Sequence, residues 1–217
     1  MSKERPGATT RPRTRMTAAA RREVIERAAT EVFAAHGYHG ASIDEIARRS
    51  GVTPPVVYDH FDSKLDLHRR LLERTRDELL AMWREQLAGD EPAETRIVRA
   101  LDAWARYVEE HRFAARMFFQ PGSGDPAVGA VHREVQAQAR RALAAILGRE
   151  PGAEQIAGAA DAESLEMAAE VIRAGLAGLA IWWDEHPHVP RERIVATAVN
   201  AMWIGFERVR EGEAWAP

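Results

Sequence analysis

The sequence predicts an all-α fold of about nine helices, in which an N-terminal three-helix unit carrying a helix-turn-helix precedes a larger helical body. Three observations predict it. Apolar residues recur at helical spacing through almost the whole chain after residue 16. No segment alternates with period two over a strand's length. The stretch Ser42 to Lys64, SIDEIARRSGVTPPVVYDHFDSK, reads as two short helices joined by a glycine turn, with a third starting at its end.

Each element has its own signals. Residues 1–16 read as a disordered basic arm, with Arg11, Arg13 and Arg15 at every second position beside prolines. Val24, Ala28, Val32 and Phe33 form a helical stripe expected to start near Thr17 and stop at Gly37. Ser42 with Glu45 makes a capping box, and Ile43, Ile46 and Ala47 give that helix one apolar face. Gly51 can take the left-handed conformation that ends it. Thr53 is expected to cap the next helix through its hydroxyl, with Pro54 and Pro55 in the first turn, where a missing N–H costs little. Val57, Tyr58 and Phe61 supply its face. Ser63 with Asp66 starts a long helix running to about Leu87. Further helices are expected over Glu94–Glu110, His111–Gln120, Asp125–Leu147, Asp161–His186 and Arg191–Glu211, with a loop at 148–158. The expected organisation is therefore an arm at 1–16, a helix-turn-helix unit at 17–65 and a helical body at 66–217.

Composition narrows the function. The chain has 217 residues, 46% hydrophobic and 29% charged, enough for a core in a soluble protein. It has no cysteine, which excludes disulfides and thiolate chemistry and fits a reducing cytoplasm, the expected location. Its longest apolar run, the ten residues Ala174–Trp183, is too short to span a bilayer, and no secretory signal is expected. The net charge of −3 hides an asymmetry. Residues 1–70 hold 13 Lys/Arg and 9 Asp/Glu, a net of +4, while the remainder holds 17 and 24, a net of −7. A basic end on an acidic body suggests that the end binds nucleic acid.

The last two helices carry more than one apolar stripe. In the first, Ile172, Leu176, Leu179 and Trp183 make one stripe, and Val171, Gly175, Gly178 and Trp182 an adjacent one. In the second, Ile194, Ala198, Ala201 and Gly205 make one, and Val195, Val199, Met202, Phe206 and Val209 another. A helix apolar most of the way round is buried on both sides. We therefore expect one side to face the protein's own core and the other a second copy. The expected interface is Val171, Gly175, Gly178, Trp182, Ala198, Ala201, Met202 and Gly205. Aromatic and sulfur side chains cluster in the middle of the chain. Trp83, Trp104, Tyr107, Val108, Phe113, Met117, Phe118 and Trp182 are the expected walls of a pocket for a flat or greasy molecule. Each of them can equally be ordinary core.

The segment GYHGASIDEIARRSGVTPPVVYDHFDSKLDL resembles the DNA-binding signature of the TetR family of bacterial transcriptional repressors over its whole length. The landmarks are Gly37 with an aromatic after it, Ser42, Ile46-Ala47, Gly51-Val52, Tyr58, His60-Phe61, Lys64 and Leu67. Tyr-x-His-Phe-x-x-Lys directly after the helix-turn-helix is the specific part. The resemblance covers roughly residues 20–70. It implies a homodimer whose last two helices form a four-helix bundle, and a pocket among the middle helices. It implies phosphate contacts from Ser42, Thr53, Tyr58, His60 and Lys64, in keeping with hydroxyl and ammonium chemistry. It places Pro54, Pro55, Val56 and Asp59 in the groove. That set lacks the Arg, Lys, Asn and Gln that read guanine or adenine, so direct readout is expected to be sparse. Arg13 and Arg15 of the arm complete the expected DNA contacts.

No metal, cofactor or catalytic constellation is expected. The eight histidines form no ligand cluster. Glu109-Glu110 and Asp184-Glu185 read as solvated pairs near helix ends, and there is no Gly-rich phosphate loop. The leading expectation is a repressor released from a palindromic operator on double-stranded DNA by an apolar small molecule. A regulator without effector, or a helical enzyme or carrier using the same aromatic cavity, are its rivals.

Overall fold

The structure is a computed structural model. It describes residues 16–120, 124–150 and 161–210, with side chains of the last helix described as far as Met202. Arg13 and Arg15 lie outside the described residues, as do the surroundings of Gly205 and most of the expected loop at 148–158. Among the described residues there are nine helices and no strand. They are α1 (Ala18–Gly40), α2 (Ile43–Ser50), α3 (Pro54–Tyr58), α4 (Lys64–Leu87), α5 (Ala93–Glu110), α6 (Arg112–Phe119), α7 (Pro126–Leu147), α8 (Ala162–Glu185) and α9 (Arg191–Arg210).

The predicted punctuation is where the chain turns. Thr17 caps α1 by accepting from the Ala20 N–H, and Gly37 breaks that helix with φ 65° and ψ 178°. Ser42 accepts from the Glu45 N–H, and Gly51 ends α2 at φ 68°, a conformation that costs other residues about 1–2 kcal/mol. Ser63 accepts from the Asp66 N–H, and the Asp66 carboxylate accepts from the N–H of Asp62 just before the cap, so two side chains serve backbone donors at the start of α4. Thr53 departs from expectation: its hydroxyl makes no cap hydrogen bond. Pro54 and Pro55 have removed two N–H groups that would need a partner, and the Val56 N–H is served by Thr53's own carbonyl at 3.0 Å. The α3 helix ends at Tyr58, so Phe61 lies beyond it, yet it is buried beneath the motif.

One core runs from end to end. Ile25, Val32 and Phe33 of α1 pack with Ile46, Val57, Phe61 and Leu67, and the same cluster continues through Trp104 and Phe118 to Trp183 and Ile194. The expected boundary at 65/66 therefore falls at the start of α4, inside a continuous core. Within the body α4 packs on α5 and α7, α7 on α8, and α9 chiefly on α5. Arg96 is buried at the α4–α5 turn, where it donates to the Leu87 and Glu91 carbonyls and pairs with Glu150 at 2.7 Å. Those partners offset the cost of burying its charge.

The two closing helices each turn one stripe inward. Ile172, Leu176 and Trp183 of α8 and Ile194 of α9 are buried. Ala198 is also buried, at 2% exposure, so it belongs to the protomer's own core and not to an interface. Ile194 sits one turn before it on the same stripe, which is why the two go inward together. Met202 is half-buried and packs on the same core. The second stripe of α8 is outward: Val171 is 73% exposed, Trp182 44%, and Gly175 and Gly178 are exposed.

A buried histidine marks the junction of the two parts. His68 of α4 sits edge-on to Phe33, with ring centroids 4.9 Å apart, and edge-on to Tyr38. Its Nδ1 has no partner among the described residues. Burial, then the nearby His132 and the Lys64 ammonium, push its pKa down to about 4 from 6.5. Between those values the unfolded chain holds a proton that the folded chain does not, so lowering the pH favours unfolding. The stability this neutral imidazole contributes is whole above pH 6.5 and is lost as the pH falls toward 4. Urea denaturation at pH 7.5 and at pH 5 should show a loss in the wild type that shrinks by about 2 kcal/mol in His68→Leu.

Candidate nucleic-acid interface and ligand cavity

The helix-turn-helix presents the predicted contact residues on its outer side. Ser42, Thr53, Pro55, Tyr58 and Asp59 are exposed, Pro54, Val56 and His60 are half-buried, and Val57 is buried beneath them. Tyr58 is 53% exposed, so it does not pack under the motif. The Thr53 hydroxyl is free of capping duty, and the Ser42 hydroxyl, which accepts from Glu45, still has its own O–H to donate. Arg48 and Arg49 are both held by Glu45, with donor–acceptor distances of 2.7 to 2.9 Å. Hydrogen bonds from both arginines hold the Glu45 carboxyl below the usual carboxylate range. Glu45 thus offsets one of their two positive charges, and Arg49 also lies 3.8 Å from Glu31.

Lys64 is the main departure. Its ammonium donates to the Tyr38 and Ala41 carbonyls, each at 2.8 Å, and lies 4.4 Å from the centre of the Tyr38 ring. Two of its three donors are therefore spent inside the protein, clasping the start of α4 to the turn between α1 and α2. A phosphate contact was the expectation, and a positioning clasp is what the geometry holds. Sequence spacing could not reveal this, because the partners are backbone carbonyls 23 and 26 residues away. The same corner brings Tyr38 near Asp125, the N-cap of α7, and His39 to 3.7 Å from its carboxylate. Burial first, then the Asp125 charge, raises the Tyr38 pKa.

The predicted pocket residues separate into different places. Trp83, Trp104 and Phe118 line one narrow apolar cavity between α4, α5, α6, α7 and α8, with Leu79, Leu80, Leu143 and Leu176. Its empty space is about 460 Å³, counting the mouth to solvent. Tyr107 and Phe113 instead line a wider, polar cleft between α1, α4 and the α5–α6 corner, about 990 Å³ and open to solvent. There the Tyr107 hydroxyl donates to Glu78 at 2.7 Å, and burial, helped by that carboxylate, keeps the phenol protonated. Val108 borders a smaller site against α6 and α8. Met117 is buried core. Trp182 is on the surface, stacked on His186 at 4.0 Å, and is no pocket wall. Two residues not expected there, Arg76 and Arg173, line the apolar cavity. Each lies one turn before an apolar wall residue, Arg76 before Leu79 and Leu80, and Arg173 before Leu176. That spacing was the available signal.

Cavity and DNA unit share two elements. Helix α4 begins at the Lys64 clasp and reaches the cavity with Arg76, Leu79, Leu80 and Trp83. Helix α6 contributes Phe118 to the cavity and packs its other side on α1. The Phe118 carbonyl accepts from His132 at 3.0 Å and from Gln136 at 2.8 Å, both on α7.

Comparison with known proteins agrees with this geometry. The profile of bacterial regulatory proteins of the tetR family matches residues 25–71. The transcriptional activator FasR of Mycolicibacterium smegmatis is 28% identical over 212 residues, covering 95% of this chain and 92% of that protein. The transcriptional regulator TtgW of Pseudomonas putida is 35% identical over 130 residues, covering 58% of this chain and 94% of that protein. Among solved structures, the regulator FadR of Bacillus subtilis in complex with stearoyl-CoA has the same fold, with a TM-score of 0.67 at 18% identity, covering 86% of this chain and 96% of that one.

The Lys64 clasp makes a prediction that a phosphate contact would not. Lys64→Met should destabilise the protein by about 1–3 kcal/mol, because two carbonyls lose a charged donor. DNA affinity should drop, but the slope of log affinity against log salt should stay as it is. Loss of a phosphate contact would instead reduce that slope by about 0.9.

Proposed function

The chain belongs to the tetR family of bacterial regulatory proteins and is a DNA-binding transcriptional regulator. From that premise we propose that it works as a dimer on an inverted-repeat operator and is released by an apolar small molecule held between α4 and α8. The observation that carries this reading is α4 itself. One uninterrupted helix of 24 residues, about 36 Å long, joins the clasp beneath the helix-turn-helix to the walls of the apolar cavity. A ligand that displaces Leu79, Leu80 or Trp83 must move that helix or strain it. The displacement is then passed to Lys64 and to the turn it clasps. That a FadR structure of this fold holds stearoyl-CoA supports an apolar ligand here too.

The dimer rests on the outward stripe of α8. Met167, Val171 and Trp182 are large apolar side chains at 58%, 73% and 44% exposure on one helix, with Gly175, Gly178 and Ala174 between them. On α9, Ala201 is exposed beside half-buried Met202. An apolar patch of this kind marks an association surface, and a two-fold pair of these helices gives the self-complementary contact of a dimer. Two recognition helices then require two half-sites about one helical turn, or a multiple of it, apart.

Footprinting and mass measurement test this together. A Cβ at Gly178 would meet nothing within 4 Å, so Gly178→Arg leaves the protomer's own packing intact. It should give a folded monomer that no longer protects both half-sites, whereas the wild type protects both. A variant that stays dimeric at micromolar concentration would place the interface elsewhere. Release has its own measure. A compound that raises the melting temperature by filling the cavity should weaken operator binding by about 5–150-fold at saturation, and operator DNA should weaken its binding by the same factor.

A second reading concerns the sign of regulation. FasR, which this chain matches along nearly its full length, is an activator. Transcription in vitro from a promoter carrying the footprinted site decides between the two: added protein lowers transcript yield for a repressor and raises it for an activator.

A further inference from the structure

One residue of the apolar cavity wall carries a buried polar atom that nothing among the described residues satisfies. Trp104 is 1% exposed and lines the cavity, and its indole Nε1 has no hydrogen-bond partner among the described residues. A buried donor without a partner costs about 1–3 kcal/mol. Buried indoles ordinarily find one, as Trp183 does here by donating to the Val189 carbonyl at 2.8 Å. The other polar side chains on the cavity wall are Arg76 and Arg173, and no carboxylate lines it. Arg76 bonds to the neutral Gln138 and to Asp77, which is 65% exposed and so well solvated. Arg173 donates to Gln136 at 3.0 Å and to Glu170 at 2.8 Å. The wall surface is almost wholly apolar, and the polar side chains that border it are donors, with no side-chain acceptor among the lining residues.

The geometry points to a specific ligand chemistry: an apolar molecule bearing a hydrogen-bond-accepting oxygen, which the Trp104 N–H binds inside the cavity, the arginines favouring an acceptor that carries negative charge. This rests on the reading of the cavity as the effector site and goes beyond it, because a plain hydrocarbon would fill the walls and leave the indole unserved. It also assigns Trp104 a role that a core tryptophan lacks. Its N–H would set ligand class, while Leu79, Leu80, Phe118 and Leu176 would set ligand size.

Three naphthalene probes of nearly equal shape test it: naphthalene, 2-acetylnaphthalene and 2-naphthoate. Each is titrated by tryptophan fluorescence into the full chain and into Trp104→Phe, which keeps an aromatic ring in place and removes the N–H together with the second ring, the naphthalene titration measuring the effect of the lost ring. The wild type should bind 2-acetylnaphthalene about 10-fold more tightly than naphthalene, and 2-naphthoate more tightly still. Trp104→Phe should lose most of that 10-fold preference and bind naphthalene within about 2-fold of the wild type. A direct signature accompanies this. The chain has six tryptophans, and the indole N–H resonance missing in Trp104→Phe identifies Trp104. That resonance should move downfield with 2-acetylnaphthalene and far less with naphthalene. Equal binding of all three probes, or an unmoved Trp104 resonance at saturation, overturns the acceptor role and leaves the effector site standing. No saturable binding by any probe, with operator binding intact, overturns both.

Discussion

The protein depends on how the first turn of α4 is fastened. The Lys64 ammonium gathers two carbonyls from the far end of α1 and lies over the Tyr38 ring, a cation set against the negative end of a helix. The Ser63 and Asp66 side chains cap the same turn, accepting from the Asp66 and Asp62 N–H groups. With both in place, the start of α4 is tied to the end of α1 and to the turn that leads into α2. On the proposed reading that rigidity is needed, because the ligand would act a helix length away from the DNA. A loose joint here would leave a well-formed cavity and a well-formed recognition helix with no mechanical link.

The second link runs through α6. Its Phe118 forms part of the cavity wall, its carbonyl end is held by His132 and Gln136 of α7, and its opposite side packs on α1. Filling the cavity therefore presses on two elements at once, α4 directly and α1 through α6. These converge at His68, which is wedged against Phe33 and Tyr38 and neutral at working pH. Close-packed junctions of this sort shift between discrete arrangements more readily than they deform. Keeping the His68 imidazole neutral avoids burying an unpaired charge in the middle of the wedge.

Local signals were readable from the sequence and distant ones were not. The capping serines Ser42 and Ser63, the left-handed Gly51 and the break at Gly37 all act within four residues of themselves, so spacing alone located them. The fold class followed from the same periodicities. The helix-turn-helix signature placed the DNA unit. What failed needed the third dimension. Ala198 and Ala201 share a sequence stripe, yet only the structure shows that Ala198 turns inward and Ala201 outward. Tyr107, Phe113 and Trp182 are as aromatic as Trp83, Trp104 and Phe118, but they lie on faces that meet α1, α4 or solvent instead of the cavity. Lys64 had the right charge for a phosphate and a nearer claim from two carbonyls. Arg76 and Arg173 were not among the expected walls: their one-turn spacing to Leu79, Leu80 and Leu176 was in the sequence, but spacing does not tell which way a helical arginine leans.

The recognition helix is unusual in what it gives up. Pro54 and Pro55 fix its backbone before DNA arrives, which reduces the ordering cost of binding. They also remove the first two N–H groups, the ones that make a helix N-terminus attract phosphate. The outward face adds no guanidinium, ammonium or amide to read a purine, only Val56, the prolines, Tyr58 and Asp59. A five-residue helix so furnished can test thymine methyls and a cytosine amine and little more. If the protein binds two half-sites as proposed, specificity comes from shape and from their separation, which α4, the clasp at Lys64 and the contact between two bodies would set. On the reading proposed here, the body therefore does more than hold the effector. It measures the operator, and a ligand that alters the body by a small amount removes the larger part of what the protein recognises.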